Sequence, residues 1–441
     1  MLSTNKYTLA FVALISIVLP LKIFSSDGLG FGFCDIPENL KETEIYSSLG
    51  ANYVRIDAKW THLESENGDW DFSRYDEKIR LAAAEGRQII LILAYSHPRA
   101  WTSEDGDARR IRPERVPLYL NYIEAVHKQW GDFVVGYEIW NEPNLHLFWA
   151  GTDDEFFHLT KEASMHLRNI ADQKLIAVGS IQLNPWIGGM GYMRKFVKSG
   201  ALDFADAISV HPYGSWIPSQ AKWVAKTREF LDHHGYSGKK IWITEVGYPT
   251  KSLYPYRVSQ KKMPWKIAES LIRLSSAGAD IITWFRLFTT IERERTSGAY
   301  EAASFALLYR EADGVYIPKN GLATWGRIAR ALGGLHPQAG VVHADHIMYP
   351  IIRAFHYSGE DGHRVLCLWS QSDIQELLLE GSVSAVSALD SITGDTWNLS
   401  AGELLQVGSN PIILSYTTEF DANSIHFYED GKHRIISFGT Q

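Results

Sequence analysis

The chain has 441 residues, of which 45% are hydrophobic and 21% are charged, and its formal net charge is −8 at pH 7. This composition is typical of a globular protein and excludes a chain that is mainly disordered. The charges are spread without blocks of one sign, which excludes a nucleic acid as the main partner. The length exceeds one ordinary hydrophobic core, so it predicts a large domain with a smaller companion.

The cysteine content is very low. Cys34 and Cys367 are the only two cysteines, which excludes a disulfide scaffold and a cysteine-rich metal site. They lie in predicted strands far apart in the chain, so we expect two buried free thiols. A single disulfide bridge between them is the alternative.

The N-terminal segment has the pattern of a targeting signal. Lys6 precedes an apolar run from Tyr7 to Phe24. We therefore expect residues 1–26 to be either a secretory signal peptide or a short membrane anchor. Both interpretations predict export, to the periplasm, to the outside of the cell or to a membrane surface. Membrane association follows only from the second.

From Gly28 onward, short β-branched runs alternate with amphipathic stretches, which indicates repeated βα units around a parallel sheet. The predicted strands are 30–34, 53–57, 88–94, 134–141, 175–180, 207–211, 240–245 and 280–286. The predicted helices include 74–84, 113–130, 154–171, 218–233 and 264–277. Units of this kind predict an α/β fold, a (β/α)8 TIM barrel over residues 28–335, with its active site at the carboxyl ends of the strands.

After about Leu335 the pattern changes to short alternating strands without helical periodicity, at 363–369, 384–389, 411–415 and 424–428. This pattern predicts a small antiparallel, β-sandwich-like domain over residues 336–441. Residues 392–395 have the composition of a hairpin turn between two such strands. No cluster of chemically reactive side chains falls in this part, so we expect it to have an accessory role.

Polar and aromatic side chains gather at the predicted strand ends, and two glutamates stand out among them. The runs Ile139-Trp140-Asn141-Glu142 and Ile241-Trp242-Ile243-Thr244-Glu245 are apolar, and each ends in a glutamate just before a Pro or Gly turn. A carboxyl group at the tip of a buried strand is held rigidly in a half-dry environment, which suits a proton donor or a nucleophile. Two such groups facing one pocket suggest cleavage of a glycosidic bond. The 15 Trp and 21 Tyr of the chain fit a sugar ligand, because aromatic faces stack on sugars.

The motifs resemble those of retaining (β/α)8-barrel glycoside hydrolases of clan A, and most closely glycoside hydrolase family 39 and related bacterial exopolysaccharide hydrolases. The likeness runs from Gly50 to Trp325 and extends loosely into the β domain. The matching pieces, in the order of the clan, are residues 50–57 with Trp60 and Glu64, residues 68–72 with Asp76, Trp140-Asn141-Glu142-Pro143-Asn144 with Phe148-Trp149, His211-Pro212-Tyr213, Trp242-Ile243-Thr244-Glu245, and Trp284. The loops 246–263 and 287–313 are individual, so the resemblance does not extend to the choice of substrate.

The resemblance implies roles for the two glutamates and their neighbours. Glu142 would be the general acid and later the base, and Asn141 would bind the sugar 2-hydroxyl. Glu245 would be the nucleophile, with a low pKa maintained by Arg55 and Tyr213. For Arg55, a buried ion pair with Asp57 or Glu138 is a compatible structural interpretation.

The same resemblance implies further substrate contacts. Trp284 would form the floor of the subsite for the sugar being cleaved, with a core tryptophan as the alternative. His97 and His211 are expected to bind sugar hydroxyls. Trp101 and Trp149, like Trp186 and Trp216, fall in loops above the barrel and would form further subsites. The histidines lack the spacing of a metal site, so neither a metal nor another cofactor is expected.

Together these features predict a retaining hydrolase that acts on a β-linked polysaccharide or oligosaccharide, with endo action on an exopolysaccharide. An exo-acting β-glycosidase, such as a β-xylosidase, is the alternative within the same class. A carbohydrate-binding scaffold that has lost turnover is the alternative from another class.

Overall fold

In the computed structural model, the described residues are 28–100, 107–214, 216–251, 257–296, 302–338, 352–371, 375–378, 386–400, 403–417, 424–429 and 432–437. The expected signal or anchor and the expected subsite residue Trp101 both lie outside these ranges. None of the helices within them has an apolar stretch long enough to cross a bilayer. Cys34 and Cys367 are both free thiols, as expected, but only Cys367 is fully buried and Cys34 is partly exposed.

Eight parallel strands form a closed barrel, in which each strand pairs with the next one in the chain and β8 pairs with β1. They are β1 (Gly30–Phe33), β2 (Tyr53–Lys59), β3 (Gln88–Ala94), β4 (Gly136–Ile139), β5 (Leu175–Gln182), β6 (Ala207–His211), β7 (Lys240–Val246) and β8 (Ile281–Trp284). The predicted TIM barrel is therefore confirmed, with each predicted strand found within a few residues of its expected place.

Helices connect the strands and cover the outside of the barrel. They are α1 (Leu40–Leu49), α2 (Ser73–Ala84), α3 (Val116–Trp130), α4 (Asp153–Ile170), α5 (Gly189–Lys198), α6 (Ile217–His233), α7 (Met263–Ser276), the short α8 (Ile291–Thr296) and α9 (Leu322–Leu332). Helices α1, α5, α8 and α9 lie outside the predicted ranges. Helix α1 alternates polar and apolar residues weakly, and α5 begins with two glycines among its first three residues, a poor helix signal. Packing against the barrel stabilises both.

Side chains from alternate positions fill the inside of the barrel near the amino ends of its strands. This cluster consists of Tyr53, Ile90, Ala177, Ala207, Trp242 and Ile281. Because side chains alternate across a strand, Arg55, Asp57 and Lys59 share the inward face of β2 with Tyr53. The inward face of β2 therefore changes from apolar near the amino end of the strand to polar near its carboxyl end.

The remaining strands form three further sheets. A small sheet near the last barrel helix has the order β11-β10-β9, and two antiparallel sheets follow with the orders β12-β13-β14-β19-β16-β17 and β18-β15-β20-β21. The strands are β9 (Phe288–Thr289), β10 (Leu308–Arg310), β11 (Tyr316–Pro318), β12 (His336–Pro337), β13 (Ile352–Ser358), β14 (Arg364–Ser370), β15 (Gln375–Leu378), β16 (Val386–Asp390), β17 (Thr396–Leu399), β18 (Leu404–Val407), β19 (Ile412–Tyr416), β20 (Ser424–Glu429) and β21 (Lys432–Ser437).

The C-terminal strands form the antiparallel structure that the sequence predicts. Leu405 and Val407 of β18 pack in one cluster with Leu366 and Leu414 of the six-stranded sheet, so the two sheets share a core. Strands β16 and β17 pair as a hairpin, which confirms the turn predicted at 392–395. The exact limits of the two domains stay a prediction.

The six-stranded sheet packs against helix α7 of the barrel. The Tyr357 hydroxyl donates to the carbonyl oxygen of Ile272 at 2.8 Å and lies 3.0 Å from the Ser275 hydroxyl. The Arg273 guanidinium lies over the rings of Phe355 and Trp369. Ile272, Phe355, Tyr357 and Trp369 belong to one continuous hydrophobic core with the barrel, so the β sheet supports the helical layer.

We expect Tyr357→Phe to lower the free energy of unfolding by about 1 kcal/mol, because a buried hydroxyl with two partners is lost. Urea unfolding followed by circular dichroism measures the change. The matched control is Tyr236→Phe, which removes an exposed bond to Asp203 and should cost less. Equal losses in the two variants would contradict the proposed contribution of the sheet contact.

Candidate active site

The two glutamates singled out by the sequence lie at the carboxyl ends of β4 and β7. After β4 the backbone turns sharply, with positive φ values of 66° at Trp140 and 43° at Glu142. Residues other than glycine rarely adopt a positive φ, and each such residue costs about 1 kcal/mol or more. The Glu142 amide donates to the carbonyl oxygen of Ser180 on β5 at 3.1 Å. The surrounding structure thus holds the strained backbone at Glu142 in place and fixes the direction of its side chain.

Glu142 and Glu245 face one cavity and lie close together. Their carboxylate oxygens and a ring nitrogen of His211 all lie within 4.8 Å of one another. The two carboxyl groups line a cavity of about 470 Å³ at the carboxyl end of the barrel. Both are largely buried, with 10% and 12% of their side chains exposed. The sequence-based expectation that these residues meet at one pocket agrees with this arrangement.

The buried guanidinium of Arg55 joins three strands at the base of the site. Its Nε donates to Glu138 at 2.6 Å, its Nη1 donates to Glu245 at 2.6 Å, and its Nη2 donates to Oδ1 of Asn141 at 3.0 Å. The Tyr213 hydroxyl donates to the other oxygen of Glu245 at 3.0 Å. Glu245 is therefore fixed at both oxygens, and Glu138 is the buried partner of Arg55.

His211 connects Glu142 to the same network from the other side. Its Nδ1 lies 2.9 Å from Oε1 of Glu142, and its Nε2 lies 3.0 Å from the Thr244 hydroxyl. That hydroxyl donates to Glu138 at 2.7 Å, so it accepts the hydrogen of Nε2. Nδ1 is then left as an acceptor, and it accepts the proton of the Glu142 carboxylic acid.

The pKa values follow this pattern of charges. Burial raises the pKa of Glu142 to about 7, although Arg55 opposes the shift. Burial lowers the pKa of His211 to about 4, so its ring is neutral at pH 7. Burial alone would raise the pKa of Glu138, but the Arg55 guanidinium holds it below its ordinary value. The arrangement thus favours a protonated Glu142 beside an ionised Glu138.

The expectation of a low pKa for Glu245 is wrong. Burial raises its pKa above the ordinary value, and the Glu142 carboxyl raises it further, whereas His211 and Arg55 lower it. Arg55 itself stays charged, because the Glu138 and Glu245 carboxylates offset the effect of burial and raise its pKa. Since Arg55 contacts Glu245 directly, a proton shared by the two glutamates is better placed on Glu142.

Four other predicted substrate contacts are not found in the cavity. Trp284 is fully buried against Tyr248 in the layer between the barrel and its helices. His97 stacks on the Trp60 ring, and its Nε2 bonds the Glu64 carbonyl oxygen at 3.0 Å. Trp149 is buried and donates to the carbonyl oxygen of Thr152, and His211 is buried beneath Glu142. All four stabilise the surroundings of the site and do not line the cavity.

Other aromatic side chains line the cavity wall instead of these four residues. Phe285, Phe148 and Tyr95 line it, and Phe285 and Tyr95 are partly exposed there. The alternation of side chains along a strand would have identified Phe285. Ile281 faces the inside of the barrel, so Thr283 and Phe285 are expected to face inward as well, whereas Trp284 faces outward.

The cavity wall also carries charged groups of both signs. Asp57 and Lys59 lie at the end of β2, with 3.6 Å between carboxylate and ammonium, and both are partly exposed. Asp35, after β1, and Arg286, after β8, form an ion pair that also lines the cavity. Such a lining suits a ligand that is rich in hydroxyl groups.

Among the described residues, Glu142, His211 and Glu245 lie close enough together to hold a metal ion. Their ligand atoms, however, already bond to one another and to Arg55 and Tyr213. The guanidinium at 2.6 Å from Glu245 would repel a cation there. The expectation that no metal is used stays a prediction.

Comparison with known proteins agrees with this arrangement. The sequence model of the family described as cellulase, glycosyl hydrolase family 5, matches residues 39–284. A β-xylosidase from Caldicellulosiruptor saccharolyticus is 32% identical over 78 residues, which is 18% of this chain and only 15% of the relative. The chain therefore spans a small part of that curated relative.

Solved structures of glycoside hydrolases share the fold. A family 39 glycoside hydrolase from Bacteroides cellulosilyticus WH2 matches with a TM-score of 0.70 at 16% identity, over 89% of this chain and 81% of the other. A family 30 subfamily 8 xylanase from Clostridium acetobutylicum matches with a TM-score of 0.61 at 14% identity, over 88% and 96%. An endo-β1,6-glucanase matches with a TM-score of 0.62 at 12% identity, over 89% and 92%.

The barrel, the paired glutamates and these likenesses define a glycoside hydrolase of clan A, as the sequence motifs implied. The family model covers more than half of the chain, and the protein belongs to the cellulase family, glycosyl hydrolase family 5. Family membership favours an enzyme over a binding scaffold.

The raised pKa of Glu142 predicts a pH-dependent contribution to stability. The folded state holds this proton more tightly than the unfolded chain, whose carboxyl has a pKa of about 4.5. The contribution is therefore complete below about pH 4.5 and is lost as the pH rises through about 7. Glu142→Gln should flatten the fall in unfolding free energy over this range, measured by urea unfolding at several pH values.

The matched control for this experiment is Glu44→Gln, which removes an exposed carboxylate on α1. If the unfolding free energies of Glu142→Gln and of the parent differ by the same amount at every pH, Glu142 does not hold a proton at neutral pH.

Proposed function

We propose that the enzyme hydrolyses a β-linked polysaccharide or oligosaccharide with retention of anomeric configuration, with Glu142 and Glu245 as its catalytic pair. The observation that carries the proposal is their separation, because carboxylate oxygens of the two lie within 4.8 Å. Retaining glycosidases hold their carboxyl groups about 5 to 5.5 Å apart, whereas inverting ones need about 6.5 to 9.5 Å to admit a water molecule.

In the first half-reaction, Glu142 gives its proton to the glycosidic oxygen. Its pKa of about 7 keeps the carboxyl group protonated near neutral pH, and the hydrogen bond to His211 fixes its position. Glu245 attacks the anomeric carbon, the bond to the leaving oxygen breaks, and a covalent glycosyl-enzyme forms. In the second half-reaction, Glu142 takes a proton from water, the water oxygen attacks the same carbon, and Glu245 is released.

Neighbouring groups position the sugar and the nucleophile. Arg55 and Tyr213 fix both oxygens of Glu245 and favour its ionised form. The Oδ1 of Asn141 accepts from Arg55, so the amide NH2 group is the donor left for a sugar hydroxyl. Phe285 offers an apolar ring at the cavity wall, and Asp57 with Lys59 offers an acceptor and a donor for hydroxyl groups.

For the mode of action, we propose endo cleavage of a polymer, such as an exopolysaccharide. Exposed aromatic side chains around the barrel mouth support it. The second candidate is an exo-acting β-glycosidase, and the similarity to a β-xylosidase favours it. We also propose export of the enzyme, on the strength of the apolar run that follows Lys6.

The proposed mechanism predicts that the first product has the anomeric configuration of the substrate. Proton NMR during hydrolysis of a β-linked oligosaccharide should show the β-anomer before mutarotation. Glu245→Gln should reduce kcat by about 1000-fold or more, because no covalent intermediate can form. Glu269→Gln, which alters a glutamate on the outer helix α7, is the matched control. An α-anomer as first product would rule out the retaining mechanism.

Endo action predicts a distinct set of products. Mass analysis of an early digest of a panel of β-linked polysaccharides should give a ladder of oligosaccharides from the polymer that is cut. An exo enzyme would release a single sugar from the first minutes, which would contradict endo action while leaving the catalytic pair in place.

A further inference from the structure

Strand β5 has a β-bulge directly beside the proposed catalytic pair. The register shifts between Val178 and Ile181, where β5 contains one more residue than β6. Without the bulge, Ser180 would share the outward face of β5 with Val178, because side chains alternate along a strand. In the structure, Ser180 is instead fully buried against the inward-facing Arg55, with a φ of 45°. The bulge therefore brings the Ser180 hydroxyl into the site.

The Ser180 hydroxyl lies among three side chains of the site. Its Oγ is 3.4 Å from Nη2 of Arg55 and 3.1 Å from Nε2 of His211. It is also 3.3 Å from Oδ1 of Asn141. The guanidinium nitrogen is a donor, and Nε2 of His211 carries the ring hydrogen. Of these three neighbours, only the amide oxygen of Asn141 can accept the hydroxyl hydrogen, so Ser180 donates to Asn141.

The Asn141 amide is held in one orientation by two donors. Its Oδ1 accepts from Nη2 of Arg55 at 3.0 Å and from the Ser180 hydroxyl. Flipping the amide would break both bonds and bring its NH2 group against the Arg55 guanidinium. Because Asn141 lines the cavity, the NH2 group is left as the donor that a bound sugar meets.

The backbone of Ser180 also contacts the acid. Its carbonyl oxygen accepts from the Glu142 amide at 3.1 Å, and its own amide donates to the Ser209 hydroxyl at 2.8 Å. A glycine could make the same two bonds, and it would adopt a positive φ without the free-energy cost that a serine incurs. The hydroxyl is therefore the feature that distinguishes serine from glycine at this position.

We propose that Ser180 is a positioning residue, which orients the Asn141 amide toward the 2-hydroxyl of the sugar that Glu245 attacks. The inference rests on the proposed function, because it takes Asn141 as the residue that binds this hydroxyl. A donor that is already in place need not reorient when its bond to the 2-hydroxyl strengthens in the transition state. Ser180 thus contributes to the rate through Asn141, without lining the cavity.

Two substrates that differ only at the 2-position test this role. They are aryl glycosides of the sugar that the enzyme cuts, with and without the 2-hydroxyl. We expect Ser180→Gly to lower the ratio of kcat/KM for the 2-hydroxy substrate to that for the 2-deoxy substrate by about three- to tenfold, because the amide loses one of its two donors. Ser180→Ala should lower the ratio similarly. Both substrates meet the same enzyme, so partial unfolding of a variant does not change the ratio.

Ser164→Ala is the matched control, since Ser164 carries a buried hydroxyl that donates to the Thr160 carbonyl oxygen within α4 at 2.7 Å. Its ratio should equal that of the parent. An unchanged ratio in both Ser180 variants, or equal losses on the two substrates, would overturn the inference while leaving the proposed hydrolysis intact.

A binding experiment separates this inference from the proposed function. The probes are basic imino sugars with and without a hydroxyl at the 2-position, whose positive charge resembles that of the transition state. In calorimetry, Ser180→Gly should weaken binding of the first probe, relative to the second, by about threefold or more. This result supports the role of Ser180 even if the parent cuts neither glycoside, an outcome that would contradict only the proposed function. Equal losses for the two probes, or a parent that does not distinguish them, would overturn the inference.

Discussion

The site depends on one buried cation. The Arg55 guanidinium leaves β2 and contacts carboxylates from β4 and β7, Glu138 and Glu245. A charge removed from water must be paired, and a cation with two carboxylate partners fixes where the negative charge of the site lies. Arg55 contacts Glu245 directly but acts on Glu142 only at a distance, so at Glu142 burial outweighs it and raises the pKa to about 7. The position of a single arginine thus makes Glu142 the better place for a proton that the two glutamates share.

The proton of Glu142 also has a defined direction. Starting from the ionised Glu138, the hydrogen bonds run through the Thr244 hydroxyl and the His211 ring to the carboxylic acid of Glu142. The His211 Nε2 atom also lies 3.1 Å from the Ser180 hydroxyl, so the network offers it a second acceptor beside Thr244. When Glu142 gives up its proton, its hydrogen bond to His211 must change, whereas the bonds from Arg55 and Tyr213 that hold Glu245 are already in place. His211 therefore serves the reaction from beneath the acid, not by touching a sugar.

The sequence predicted the parts of this site that follow from simple periodicity. A parallel barrel brings all carboxyl strand ends to one face, so Asn141, Glu142, Tyr213 and Glu245 could be placed together without coordinates, and the family resemblance added Arg55. Prediction from the sequence failed where the direction of a side chain decides the role of the residue. Trp284 and Phe285 are adjacent, yet only Phe285 faces the cavity. Trp149 lies in a loop whose fold depends on packing against Trp140, which no local pattern reveals. The raised pKa of Glu245 depends on burial, which a sequence does not express as a number.

The composition of the cavity determines which contacts can speed the proposed reaction. Charged groups and partly exposed aromatic rings enclose the sugar that Glu245 would attack. Contacts that strengthen as the glycosidic bond breaks lower the barrier, whereas contacts that are equally strong in the bound substrate do not. The fixed positions of Glu142 and Glu245 therefore matter more for the rate than the number of contacts that the cavity makes with the bound sugar.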